Sequence, residues 1–151
     1  MVQFYFLTIV FLVIGSLILL VDEYGEKYPA IMKLQNFVFH TQTNTIILLV
    51  LTAVTGISKL ISPISPGPVV LGDLFPAVAL ITVAIFYGFE IKSLGDDTPK
   101  EEDDLVDDNA FIDSEIVDKA EGFFYKNKKV LGYIILGVAC FHFLFPSAVL
   151  L

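Results

Sequence analysis

Lys59, Asp73 and His142 are ionisable side chains set in or beside long apolar runs. An ionisable group at such a depth is a site candidate by default, because hydrocarbon solvates a charge poorly. Lys59 precedes, and Asp73 lies within, the stretch SPISPGPVVLGDLFP, residues 62–76, with prolines at 63, 66, 68 and 76. Prolines and glycines at that density read as a turn. The turn returns the chain on itself, so Lys59 and Asp73 face each other at one interface. With Thr55, Ser58 and His142 they form a candidate polar pocket. Its chemistry would be a charged vestibule that recognises a partner or solute, or a proton-linked path. Each residue also has a purely structural reading, which we adopt as the expectation. Asp73 is placed to cap a helix through its carboxylate, with Pro76 in the first turn. Lys59 then snorkels to the interface in a weak ion pair. His142, in GVACFHFLFPS, takes a hydrogen bond from or to Thr55, Ser58 or a carbonyl freed by Pro146.

Other chemistries find no residues to carry them. His40 and His142 belong to opposite ends of their spans, so the two side chains do not meet on one haem iron within a monomer. The run EEDDLVDDN has neither the alternating oxygen ligands nor the central glycine of a calcium loop. No phosphate-binding loop, zinc-protease, nucleophile-elbow or Cys-x-x-Cys motif occurs. All nine basic residues are lysine, so there is no bidentate arginine clamp for phosphate. We therefore assign no catalytic residue, no metal, no cofactor and no nucleic-acid partner. An enzymatic role stays open but without a motif. The lone Cys140 lies in an apolar run and builds no disulfide framework.

The elements that position these residues are four apolar runs, at about 2–21, 37–61, 69–91 and 130–151. Mean hydropathy of +0.78 over 151 residues is the consequence. Each run approaches the roughly 20 residues a helix needs to cross about 30 Å of hydrocarbon. The expected fold is all-α: a single domain, residues 1–151, built as an integral membrane four-helix bundle. The first run lacks a basic leader and a small-x-small cleavage site, and is read as a retained span. Residues 92–129 form an acidic loop that holds twelve of the seventeen carboxylates. Its second half, about 114–128, reads as an amphipathic surface helix, with Asp113 as cap and Ile116, Val117, Ala120, Phe123 and Phe124 on one face. Ile31, Leu34 and Val38 repeat at helical spacing after Pro29. They mark either a short interfacial helix or an early start to the second span. Thr52 with Gly56, and Ala84 with Gly88, are small-xxx-small pairs that suit close helix contact in lipid. GISKL, residues 56–60, is similar to a short G-x-x-K-L stretch in four-helix proteins of the DoxX type. The likeness spans five residues, and we draw no assignment from it.

Eight lysines fall in the loops between spans one and two and between spans three and four; only Lys59 falls on the other side. Lysines mark the cytoplasmic side, while carboxylates count little. The expected location is the inner (plasma) membrane, multi-pass, with both termini outside the cytoplasm. The function expected is an accessory or scaffold subunit of a larger membrane assembly, with the lipid bilayer and either protein partners or further copies of itself as its surroundings. The alternative is a small transporter, channel or proton-linked component using an outward-facing pocket at Lys59, Asp73 and His142.

Overall fold

The computed structural model describes residues 2–61, 74–96 and 114–144. Residues 62–73, with Asp73 and the prolines at 63, 66 and 68, the acidic stretch 97–113 and Pro146 lie outside the described residues. Among those described there are six helices and no strand. They are α1 (Val2–Leu19), α2 (Val21–Tyr24), α3 (Pro29–Phe39), α4 (Gln42–Ile61), α5 (Phe75–Asp96) and α6 (Ser114–Leu144). Three of them, α4, α5 and α6, are long and apolar enough to cross a membrane. The apolar part of α1, Tyr5–Leu19, is shorter.

The neighbouring helices run antiparallel, and three sets of contacts fix this. Along α4 and α5, Gly56 lies against Leu80 while Leu49 lies against Gly88. Along α5 and α6, Glu90 meets Tyr125 and Lys92 meets Asp118. Along α1 and α6, Tyr5 meets His142 and Asp22 meets Lys128. The core between them is built from Leu12, Ile18, Leu80, Val83, Phe86 and Ile135. Glycines allow the closest approaches. A methyl group built on Gly56 would stand 3.1 Å from Leu80 Cβ and 3.3 Å from the Ala77 carbonyl oxygen. One built on Gly15 would overlap Val83 at 2.6 Å. The Thr52–Gly56 pair thus marks a close α4–α5 contact, while Gly88 of the second pair meets only Leu49 Cδ1, at an ordinary 3.7 Å.

The stretch 29–39 resolves into a separate short helix. Pro29 occupies the first turn of α3, where its missing N–H is not needed. The chain breaks at His40 and Thr41, so the second span starts at Gln42 rather than 37. Two side chains of α4 bridge the break. Thr45 Oγ1 donates to the Val38 carbonyl at 3.0 Å, and Asn44 Nδ2 donates to that of Phe37 at 3.1 Å. Carbonyls that α3 would leave unpaired are satisfied this way. Of its expected apolar face, Val38 is buried, and Ile31 and Leu34 are half-buried.

One expectation is corrected. The sequence reading separates a surface helix at 114–128 from a span beginning at 130; a single 31-residue helix takes their place. At 1.5 Å per residue it is about 46 Å long. The lysines at 126, 128 and 129 are good helix formers, and no proline interrupts the segment. Packing then holds the first half upright beside α5, with Phe89 and Phe124 edge to face at 5.4 Å. A helix lying on the surface would forgo that contact. Likewise α5 continues to Asp96, five residues past the expected end of the third span.

Candidate functional site

Helix α4 is apolar on the outside and polar on the inside. Its buried residues are Thr45, Thr52, Thr55, Gly56 and Lys59. Ile46, Ile47, Val50, Leu51, Val54 and Ile57 are exposed. In water this arrangement would be reversed, since about 25 cal/mol is gained for each Å² of apolar surface buried. In lipid, small and polar residues belong at helix contacts and large aliphatics face the tails. Thr45, Thr52 and Lys59 are seven residues apart, two helical turns each, and so share one stripe. Threonine tolerates such a helix interior by bonding back. Thr55 Oγ1 donates to the Leu51 carbonyl at 2.7 Å.

The stripe ends at Lys59, which is only 4 % exposed. His142 is 2 % exposed. Each stands two residues from the end of its helix. Because α4 and α6 both run antiparallel to α5, these ends lie at the same end of the molecule. The first turns of α1 join them. Tyr5 stacks on the His142 ring with centroids 4.7 Å apart, and its hydroxyl donates to the His142 carbonyl. Thr8, on the same helix, is fully buried. Of the expected pocket, Lys59, Thr55 and His142 are therefore buried side chains near one end, Ser58 is half-buried, and Asp73 lies outside the described residues. Of the partners expected for His142, Thr55 donates its hydroxyl proton within its own helix, to Leu51, and the Tyr5 ring packs against the imidazole. Sequence reading missed Tyr5, Thr8, Ser16, Thr45 and Tyr87. The seven-residue spacing of Thr45, Thr52 and Lys59 in an Ile/Leu/Val helix was the available signal. For Tyr5 there was none, because its contact joins residues 137 apart.

The opposite end carries the charge. Lys128 Nζ donates to Asp22 at 2.9 Å and sits 5.9 Å from the centroid of the Phe86 ring. Lys129 pairs with Glu23 at 2.7 Å. Tyr24 and Tyr133 share a hydrogen bond at 2.8 Å. Nearer the start of α6, Lys92 bridges Asp118 and Glu121 at 3.0 Å each, and the Tyr125 hydroxyl donates to Glu90 at 3.0 Å. His40 lies at this end too, exposed beside Gln35, Asn36 and Phe39. The two histidines are thus at opposite ends. Among the described residues, no three His, Cys, Asp or Glu side chains converge as a metal site.

No curated protein and no solved structure matches the chain. A protein-family model, that of an uncharacterised domain, matches residues 1–142. Over nearly its whole length the chain belongs to that family.

Proposed function

We propose that the chain is a four-span inner-membrane protein, α1 being the fourth span beside α4, α5 and α6, and that it serves as an accessory or scaffold subunit of a larger membrane assembly. Both termini face outward in this reading, and the charged end faces the cytoplasm. One observation carries the subunit role. Lipid accounts for the exposed aliphatics of α4. It does not account for Ile116 and Phe123, which are 62 % and 59 % exposed on α6. They are seven residues apart, hence on one face, in a segment that also carries Glu115, Asp118, Lys119 and Glu121. An exposed apolar pair on a charged helix that stands away from the hydrocarbon is the composition of a protein contact.

A second observation favours the alternative, a small transporter, channel or proton-linked component. Lys59 and His142 are ionisable groups buried at one end of the helices, and such groups in membrane proteins face paths or partners more often than lipid. Purification in nanodiscs from native membranes at endogenous level, with mass spectrometry of what co-purifies, separates the two. The subunit role requires a stoichiometric partner that is lost in Phe123→Ser. A lone oligomer of this chain rejects it and leaves the Lys59–His142 reading.

A further inference from the structure

Helix α3 lies across the charged end of the molecule instead of running along it. It follows α2, which that end holds through Asp22 and Lys128. It leads into α4, and with Leu49 against Gly88 in antiparallel register the first residues of α4 stand level with the last turn of α5. Both ends of α3 are therefore near one height, and its 11 residues reach about 16 Å sideways. That height is where the apolar helix α4 begins. Ile31, Leu34 and Val38 turn one face of α3 to the protein. Met32 and Phe37 are exposed on the rest of it, with Tyr28 exposed at its start, and Phe37 is 70 % exposed. A boundary between headgroups and acyl chains suits such residues better than water does.

The charge of α3 is of one sign. No carboxylate side chain occurs between residues 27 and 60. Lys92, Lys119, Lys128 and Lys129 each meet a carboxylate, whereas Lys27 and Lys33 make no ion pair among the described residues. Lys33, Asn36 and His40 are spaced i, i+3 and i+7, and so share a face. Asn36 and His40, with Gln35 and Phe39, also line a cleft of about 410 Å³. The two carboxamides and the imidazole all offer N–H donors. Phe39 ties the cleft to the core, edge to face with Tyr87 at 6.3 Å. Carbonyls of Phe37 and Val38, which would repel an anion, are occupied by Asn44 and Thr45.

We infer that α3 is a binding surface for anionic phospholipid. The lipid phosphate enters the cleft, where Gln35, Asn36 and His40 donate to its oxygens. Lys33 on the same face and Lys27 just before the helix supply the opposite charge. Tyr28, Met32 and Phe37 enter the acyl boundary. The surface depends neither on which side of the membrane this end faces nor on either functional reading.

Hydrogen–deuterium exchange of residues 27–40 tests it, in nanodiscs of phosphatidylcholine with and without phosphatidylglycerol. The anionic lipid slows exchange of this segment several-fold; equal exchange in the two lipids overturns the site. Lys27→Gln combined with Lys33→Gln, at unchanged unfolding midpoint in phosphatidylcholine, loses the protection. Lys126→Gln, which removes a charge from α6 at the same end, keeps it. Protection that survives the double change, or that Lys126→Gln removes as fully, overturns the assignment to α3. Asn36→Ala weakens the protection, and an unaffected protection overturns the seat in the cleft. Inorganic phosphate added to phosphatidylcholine nanodiscs leaves exchange unchanged. Protection by phosphate alone gives the cleft to a free anion, and protection seen only with a co-purified protein bound gives the surface to that protein; either result overturns the lipid site.

Discussion

Gly56 shows how much of the architecture rests on one hydrogen atom in place of a side chain. Its neighbours include the Leu80 Cβ and the Ala77 carbonyl oxygen, so backbone and the root of a side chain, rather than a flexible tip, would have to move. Gly56→Leu therefore forces α4 away from α5. Overpacking of a tight contact costs about 1–3 kcal/mol, and the unfolding midpoint in nanodiscs drops accordingly. Gly137→Leu is the control, since nothing stands within 4 Å of a methyl group built there. It leaves the midpoint unchanged; a Gly56→Leu protein that keeps the wild-type midpoint shows that α4 and α5 do not meet as described. The close pair at Thr52 and Gly56 was legible because small residues four apart in an apolar helix have one physical use in lipid. The burial of Lys59 was not. A lysine near a span end reads equally well as snorkelling outward, and only the direction of the Thr45–Thr52–Lys59 stripe turns it inward.

At the scale of the element, α6 is the part whose sequence and structure disagree. Amphipathicity between 114 and 128 was legible, but whether an amphipathic helix lies flat or stands upright depends on what it meets. The decisive partners are Phe89, Glu90 and Lys92, on turns of α5 that the hydropathy pattern assigned to the end of a span or to a loop. Two kinds of contact hold the upright half. The ion pairs of Lys92 are half exposed to solvent, and pairs of that kind contribute little, because water screens them and both side chains must be ordered. Phe124 packs against the core and edge-on to Phe89. Truncating a packed phenylalanine costs roughly 3 kcal/mol when it is fully buried, and less for this half-buried ring. Hence packing rather than charge fixes the arm. In hydrogen–deuterium exchange of residues 114–127, Phe124→Ala raises the exchange clearly and Lys92→Ala raises it little. The reverse order means that the charged residues hold the arm and the aromatic contact follows.

At the scale of the whole molecule, charge and depth segregate. Lys27 and Lys33 belong to the α2–α3 segment, Lys92 to the end of α5, and Lys119, Lys126, Lys128 and Lys129 to the first half of α6. The antiparallel register gathers all seven at one end and, among the described lysines, places Lys59 at the other. Sequence counting assigned them to loops on one side; helix packing reaches the same grouping through contacts such as Lys128 with Asp22 and Lys92 with Asp118. Carboxylates accompany these lysines, yet they weigh little in membrane orientation, which follows the lysine excess near the span ends. In the orientation we propose, the lysine end is cytoplasmic, and the end with Tyr5, Lys59 and His142 faces outward, where any pocket built on it would open. A Cys140→Ser background carrying Lys27→Cys gives the measurement. A membrane-impermeant maleimide labels the introduced thiol in inverted vesicles and not in intact cells, while a reporter fused after Leu151 is active only when it folds outside the cytoplasm. Labelling of that thiol from outside, or a cytoplasmic reporter, turns the molecule over and moves the buried Lys59–His142 end to the cytoplasmic face.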